Sequence, residues 1–108
     1  HEYSISEEMM DKLEDMNNYL IKNFRLAFGN RIMKQVSDFV PCYIACGGTE
    51  IQAVDFIVSK KVLRKFESLS LSFMKDELSK FSAFLDKTFG KNQMAQCKDY
   101  IEYLKRSN

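Results

Sequence analysis

Tryptophan is absent from this chain, proline and histidine occur once each, and glycine occurs four times in 108 residues. With so few chain-breaking residues and scarcely any alternation of apolar and polar positions, a sheet of hairpins is not expected. No run approaches the roughly 18 apolar residues that a membrane-spanning helix needs. No charged-then-apolar leader opens the chain, so no signal peptide is expected. There is no Gly-x-x-x-x-Gly-Lys-[Ser/Thr] loop to cradle phosphates, and no hydrophobic strand ending in acidic residues to hold magnesium. Neither sign of charge dominates: 16 basic residues against 15 acidic ones leave a net charge of +1, which gives no long-range field favouring DNA, RNA or a membrane surface. Three cysteines, an odd number without export signals, point to a reducing, cytoplasmic compartment.

What remains is ordinary globular material. Hydrophobic content of 45% with 29% charged residues lies far from the disordered regime, and the length suits one domain with one core. The periodicities predict an all-α fold, a compact bundle of about five helices without a sheet. A first helix is expected from Ser4 or Ser6, since Ser4 and Glu7 have capping-box spacing. Its apolar stripe is Met9, Leu13, Met16, Leu20 and Phe24. A second helix is expected from about Asn30, with Ile32, Val36, Phe39 and Tyr43 in register and Pro41 kinking or ending it. Gly47-Gly48 breaks the chain, and Thr49 with Gln52 matches a capping box for a third helix from Glu50 to about Phe66. That helix is apolar nearly all round over Ile51–Val58, as a buried central helix would be. After a loop at Ser68–Ser72, a fourth helix carries Met74, Leu78, Phe81, Leu85 and Phe89, with Gly90 placed to end it. Asn92 is expected to cap a fifth, bearing Met94, Cys97, Ile101 and Leu104.

One segment stands out. Leu26-Ala27-Phe28-Gly29-Asn30-Arg31-Ile32 places an arginine in the first turn of a helix, just after a glycine that leaves room for close approach. A guanidinium is permanently charged and its planar fork matches phosphate oxygens. Its charge is mildly disfavoured at a helix N-terminus, so helix stability does not explain it. Asp55 is the other anomaly, a carboxylate flanked by Val54, Phe56 and Ile57. Buried unpaired, it would cost several kcal/mol, so it requires a basic or backbone partner or an outward-facing position. Lys60, Lys61, Arg64 and Lys65 gather near the end of the third helix, where cations are favoured and their stems cover core residues. They are also candidates for contact with DNA phosphates or an acidic neighbouring subunit. Cys42 and Cys46 lack the further ligands that zinc would need, since the sole histidine is His1. All three cysteines read as buried small hydrophobes, and no metal site is expected.

From Tyr19 to Glu67 the chain resembles a known family. An Asn-Asn-Tyr-Leu segment ending one helix, then Leu-Ala-Phe-Gly-Asn-Arg-Ile, then a helix carrying Asp-Phe-Val, is similar to the C-terminal helical lid of AAA+ ATPases and GTPases. The branch it resembles is McrB-like, the nucleotide-hydrolysing subunit of modification-dependent restriction systems. Ala53-Val54-Asp55-Phe56 and Lys61-Val62-Leu63-Arg64-Lys65 are similar to that branch's next lid helix. Residues 68–108 match only as generic helices. The resemblance implies a part of a longer enzyme rather than an enzyme in itself. It implies no cofactor held by this chain alone, and ATP or GTP with magnesium in the intact protein. Its partners would be a large α/β nucleotide-binding domain, neighbouring AAA+ subunits, and a nuclease subunit and DNA in the assembly, with no membrane. Arg31 matches the sensor-2 arginine that reaches the phosphates. The alternative is a free-standing helical module for protein–protein or DNA interaction, with a helix-turn-helix-like pair around Gly47-Gly48. That alternative needs base-reading residues on an exposed helix, whereas the helix after Gly48 is apolar all round.

Overall fold

The computed structural model describes residues 4–107, so His1 lies outside the described residues. Five α-helices follow in chain order: α1 (Glu7–Phe24), α2 (Asn30–Ala45), α3 (Glu50–Lys61), α4 (Lys75–Phe89) and α5 (Ala95–Arg106). Two short 3₁₀ segments, Leu63–Ser68 and Leu71–Phe73, lie between α3 and α4, and the described residues contain no strand. The all-α class expected from the periodicities is the class observed. None of these helices is long and apolar enough to cross a membrane. Contacts cluster in two units, one running to Val54 and the other starting at Asp55, so the boundary falls within α3.

In the N-terminal unit, the whole stripe Met9, Leu13, Met16, Leu20 and Phe24 of α1 is buried. The helix is capped by Ser6, whose hydroxyl accepts the Met9 N–H at 3.1 Å, rather than by a box between Ser4 and Glu7. With Ser6 at the cap, the residue that would reach back to the Ser6 amide is Met9, which has no acceptor. Glu50 takes that role: its carboxylate accepts the Ser6 backbone N–H at 2.8 Å and the Ser6 hydroxyl at 3.0 Å. At the other end, Arg25 closes α1 in the left-handed conformation (φ 55°), with Leu26 N–H donating to Leu20 C=O at 3.2 Å. Arg25 N–H itself donates to Ile21 C=O at 3.1 Å, the bond of a left-handed helix cap, a position usually given to glycine.

Helix α2 buries Val36 and Val40, while Phe39, an expected core residue, is only half-buried and lies 5.6 Å from the Tyr43 ring, centroid to centroid. Pro41 lies inside the helix, which runs on to Ala45. Losing one amide so near the C-terminus frees a single carbonyl, too little to stop the last turn. Cys42 and Cys46 are exposed, against expectation. Each lies six residues beyond one of the buried valines, about 240° around the helix. Gly48 is required by packing: a Cβ there would sit 2.0 Å from the Tyr43 ring. Thr49 and Gln52 form the expected reciprocal box, with Thr49 N–H donating to Gln52 Oε1 at 3.0 Å and Gln52 N–H to Thr49 Oγ1 at 3.2 Å.

In the C-terminal unit, the α3 pattern continues as buried Ile57, Val58, Val62, Leu63 and Phe66. The α-helix stops at Lys61, short of Phe66, and tightens into 3₁₀ geometry through Ser68. Helix α5 packs against α4 and both 3₁₀ segments. Phe66 and Phe81 stack in this core at 5.7 Å with their planes 12° apart. Helix α4 ends at Gly90, whose φ of 109° is open to glycine at little cost. Asn92 does not cap α5; it takes a left-handed turn conformation (φ 60°), and Met94 occupies the cap position. Of the nine phenylalanines five are buried, Phe39, Phe56 and Phe84 are half-buried, and Phe73 is 92% exposed.

Candidate functional site

The turn that presents Arg31 is held from below. Phe28 is buried, and its N–H donates to Asn17 Oδ1 of α1 at 3.0 Å. Gly29 follows as the cap of α2, with φ −87° and no side chain to accept the first amides of the helix. A Cβ added to Gly29 would meet nothing within 4 Å, so the space that this glycine leaves is open. Arg31 stands on the next turn, exposed, and makes no ion pair among the described residues. A hollow of about 210 Å³ opens beside the same turn, lined by apolar Met10, Phe28 and Met33 and by polar Glu14, Asn17 and Asn30. The arrangement offers a free guanidinium and uncapped amides, which suits the edge of a phosphate group. It offers no loop that could enclose one. Nor do the described residues contain a cluster of three acidic, histidine or cysteine side chains able to hold a metal ion.

Asp55 is buried, and its partners are backbone amides. Its carboxylate accepts Gln96 N–H at 2.8 Å and Cys97 N–H at 2.9 Å. These are the second and third amides of α5, the two that a capping side chain normally serves. Met94 at the cap position has no acceptor, so Asp55 caps α5 from a distant point in the chain. The negative charge also faces the positive end of the helix dipole. Cys97 Sγ donates to the Asp55 carbonyl at 3.4 Å. Burial pushes the Cys97 thiol well up, and the Asp55 charge adds to this, so the sulfur stays protonated and is no nucleophile. With both oxygens engaged, Asp55 is a structural carboxylate.

Lys60, Lys61, Arg64 and Lys65 are all exposed, and none of them pairs with a carboxylate among the described residues. The Lys60 ammonium lies 5.6 Å from the centre of the Phe56 ring instead. Lys60 and Arg64 line an open groove of about 520 Å³ together with Glu67, Asp99 and Tyr100. The Tyr100 hydroxyl donates to Glu67 Oε2. Burial, then this bond and the Glu67 charge, push the phenol up to about 12. Composition and spacing point to the cations but not to this tyrosine–glutamate pair, whose members lie 33 residues apart. The other unforeseen polar cluster is Asp86, which accepts Asn92 N–H at 2.9 Å and Lys98 Nζ at 2.7 Å, tying the α4–α5 turn to both helices.

An all-helical domain with separate polar features and no assembled catalytic cluster among its described residues is the class of protein these observations define. The chain belongs to the family described as Domain of unknown function (DUF8727), whose model matches residues 1–107. No curated protein and no solved structure matches the chain.

Proposed function

We propose that this chain is the helical lid of an AAA+ nucleoside-triphosphatase of the McrB-like kind. In this reading it closes over ATP or GTP with magnesium, held by a large α/β domain in the cytoplasm, and relays hydrolysis to neighbouring subunits and, through them, to a nuclease acting on DNA. The observation that carries the reading is the free Arg31 guanidinium beside the open space at Gly29. The chain uses Asn17 and Phe28 to fix this turn, yet none of the described residues supplies a carboxylate to the arginine that the turn presents. The residues present fit only the outer edge of a triphosphate, so the phosphate cradle and the metal ligands belong to the large domain. When bound, the nucleotide with its magnesium supplies the phosphoryl group and its charge; Arg31 binds and orients that group from the lid side.

The test is nucleotide turnover by the intact protein carrying this chain. Arg31→Ala lowers turnover by about tenfold to a thousandfold, within the range for arginines that stabilise phosphoryl transfer, and Arg31→Lys restores only part of it. Gly29→Ala also lowers turnover, because its new methyl group fills space meant for the phosphates, while the fold is unchanged. Lys87→Ala, an exposed position of α4 outside both candidate sites, leaves turnover as it was. An intact protein without triphosphatase activity, or one whose turnover is indifferent to Arg31, overturns the reading.

A further inference from the structure

Two of the exposed large hydrophobes, Met10 and Ile21, belong to one helix, α1. Three turns and about 20° separate them at 3.6 residues per turn, so they share one face. Beside each lies a hollow, one of about 210 Å³ at Met10 and Glu14, the other of about 460 Å³ at Ile21, Lys22 and Arg25. The charges of this helix are sorted along its length. Glu7, Glu8, Asp11, Glu14 and Asp15 stand in its first half, with Lys12 alone against them. From Met16 to its cap Arg25 it carries Lys22 and Arg25 and no acid. Glu8 pairs with Lys12, but Glu7, Lys22 and Arg25 make no ion pair among the described residues. Arg25 is held at φ 55°, which glycine would adopt more easily, so a guanidinium stands where the backbone favours no side chain. We propose that α1 is the contact surface of a homodimer, lying antiparallel to its copy with Met10 of each chain against Ile21 of the other and Glu7 opposite Arg25.

The order of residues along α1 selects a second copy as the occupant. Met10 and Ile21 are centred between Asp15 and Met16, and Glu7 and Arg25 are centred on Met16. A two-fold axis near that point therefore exchanges hydrophobe with hydrophobe and sets acid against base in the same operation, the condition for an isologous contact. Within one chain Glu7 and Arg25 stand about 27 Å apart at 1.5 Å per residue and cannot meet. Near the axis, Glu14 of each copy falls across from Asn17 of the other. The Asn17 Oδ1 accepts the Phe28 N–H, which leaves its Nδ2 to donate to that carboxylate. Asp15, about 120° around the helix from Ile21, turns away from the axis. The proposal is independent of the role given to Arg31, which is not on α1, and its test contains no nucleotide.

The test is sedimentation equilibrium of the whole chain at low ionic strength, where screening is weakest. A contact along about five turns of two helices lies at the small end of specific interfaces, below about 1,200 Å², so the series runs up to millimolar protein. The chain forms dimers and nothing larger, because an isologous contact closes at two copies. Added salt weakens them as the ion pairs are screened. Met10→Ala and Ile21→Ala each weaken dimerisation by about tenfold, since each truncation occurs twice across the axis. Glu7→Lys and Arg25→Glu each weaken it by about three- to tenfold, by setting like charges against one another. Combined in one chain, Glu7→Lys and Arg25→Glu restore it, a reversal that damage to the fold would not produce and that the distance between them forbids within a chain. The proposal is overturned if the chain stays monomeric, if it assembles beyond dimers, or if salt leaves the dimer unchanged. It is equally overturned if any of the four single variants dimerises like the parent, or if the double charge reversal fails to restore what each single reversal removes.

Discussion

Helices α1 and α5 have the same problem at their N-termini, solved by carboxylates of opposite character. In the N-terminal unit, Ser6 caps α1 locally, and the half-buried Glu50 completes the box by accepting the Ser6 amide and hydroxyl. In the C-terminal unit, α5 has no capping side chain of its own, and the buried Asp55 serves two of its amides alone. Both carboxylates belong to α3, five positions apart. Water can replace Glu50, because amide and hydroxyl at Ser6 remain reachable. It cannot easily replace Asp55, which is only 5% exposed. The difference teaches that the energetic weight of a cap lies in what is stranded when it goes, more than in the bonds it makes.

The largest expected effect follows from that asymmetry. Asp55→Ala strands the buried Cys97 amide, at about 1–3 kcal/mol, and the part-buried Gln96 amide, at about 1 kcal/mol, and so destabilises the chain by about 2–4 kcal/mol. Asp55→Asn, which keeps one acceptor oxygen, costs roughly half as much. Urea unfolding followed by circular dichroism measures both. Thr49→Ala, which removes the local cap of α3, costs about 1 kcal/mol. Glu50→Ala costs about 0.5 kcal/mol, the weight of an exposed charge-assisted contact, and its effect shrinks as salt is added. The Asp55 effect does not shrink. Equal losses for Asp55→Ala and Glu50→Ala, or equal salt dependence, would break the comparison.

The sequence carried one side of this contrast and hid the other. The stripe of α1, the Thr49–Gln52 box and the glycine ending α4 depend on residues within four or five positions of one another, so periodicity and spacing reveal them. Asp55 was legible as an anomaly, because a carboxylate in an apolar run must find donors. Its donors at Gln96 and Cys97 lie 41 and 42 residues away, and no local pattern marks them. Asn92 carried the expected signal of a capping residue, but the turn used it in a left-handed conformation and Asp55 had already taken the amides. Cys42 and Cys46 were misplaced because composition alone assigned them to the core, whereas the register of Val36 and Val40 turns them outward. At the candidate sites, the position of Arg31 on its helix and the basic run were readable. The hydrogen bond that the Tyr100 hydroxyl donates to Glu67 is a property of packing between α5 and the 3₁₀ segment.

Two titrations sharpen the comparison with smaller effects. Asp86, beside the Lys98 ammonium and the Asn92 amide, is held below the usual carboxylate range. Its contribution is therefore present above the ordinary value near 3.8 and is lost as pH falls through the lower folded value. Lys98→Met removes this acid-side dependence in a pH series of unfolding midpoints, while the midpoint at neutral pH changes little, since the pair is partly exposed.

The smallest expected effect concerns Tyr100 and lies at the alkaline end. Its phenol is pushed up to about 12 by burial and by the hydrogen bond to Glu67, so the folded state favours the protonated form. The stability this gives is fully present below the ordinary tyrosine value of about 10 and is lost as pH rises from there through about 12. Tyrosinate absorbance during an alkaline titration should show a step near pH 12, and Tyr100→Phe should remove it. Glu67→Gln brings the step to lower pH, because the carboxylate that opposes the phenolate is gone. Arg64→Ala moves it the other way, because the guanidinium eases the phenolate charge. Opposite shifts from two residues of one 3₁₀ segment require all three groups to share one polar cluster. A Tyr100 that ionised near the ordinary tyrosine value of about 10 would have its hydroxyl in water, outside any bond to Glu67.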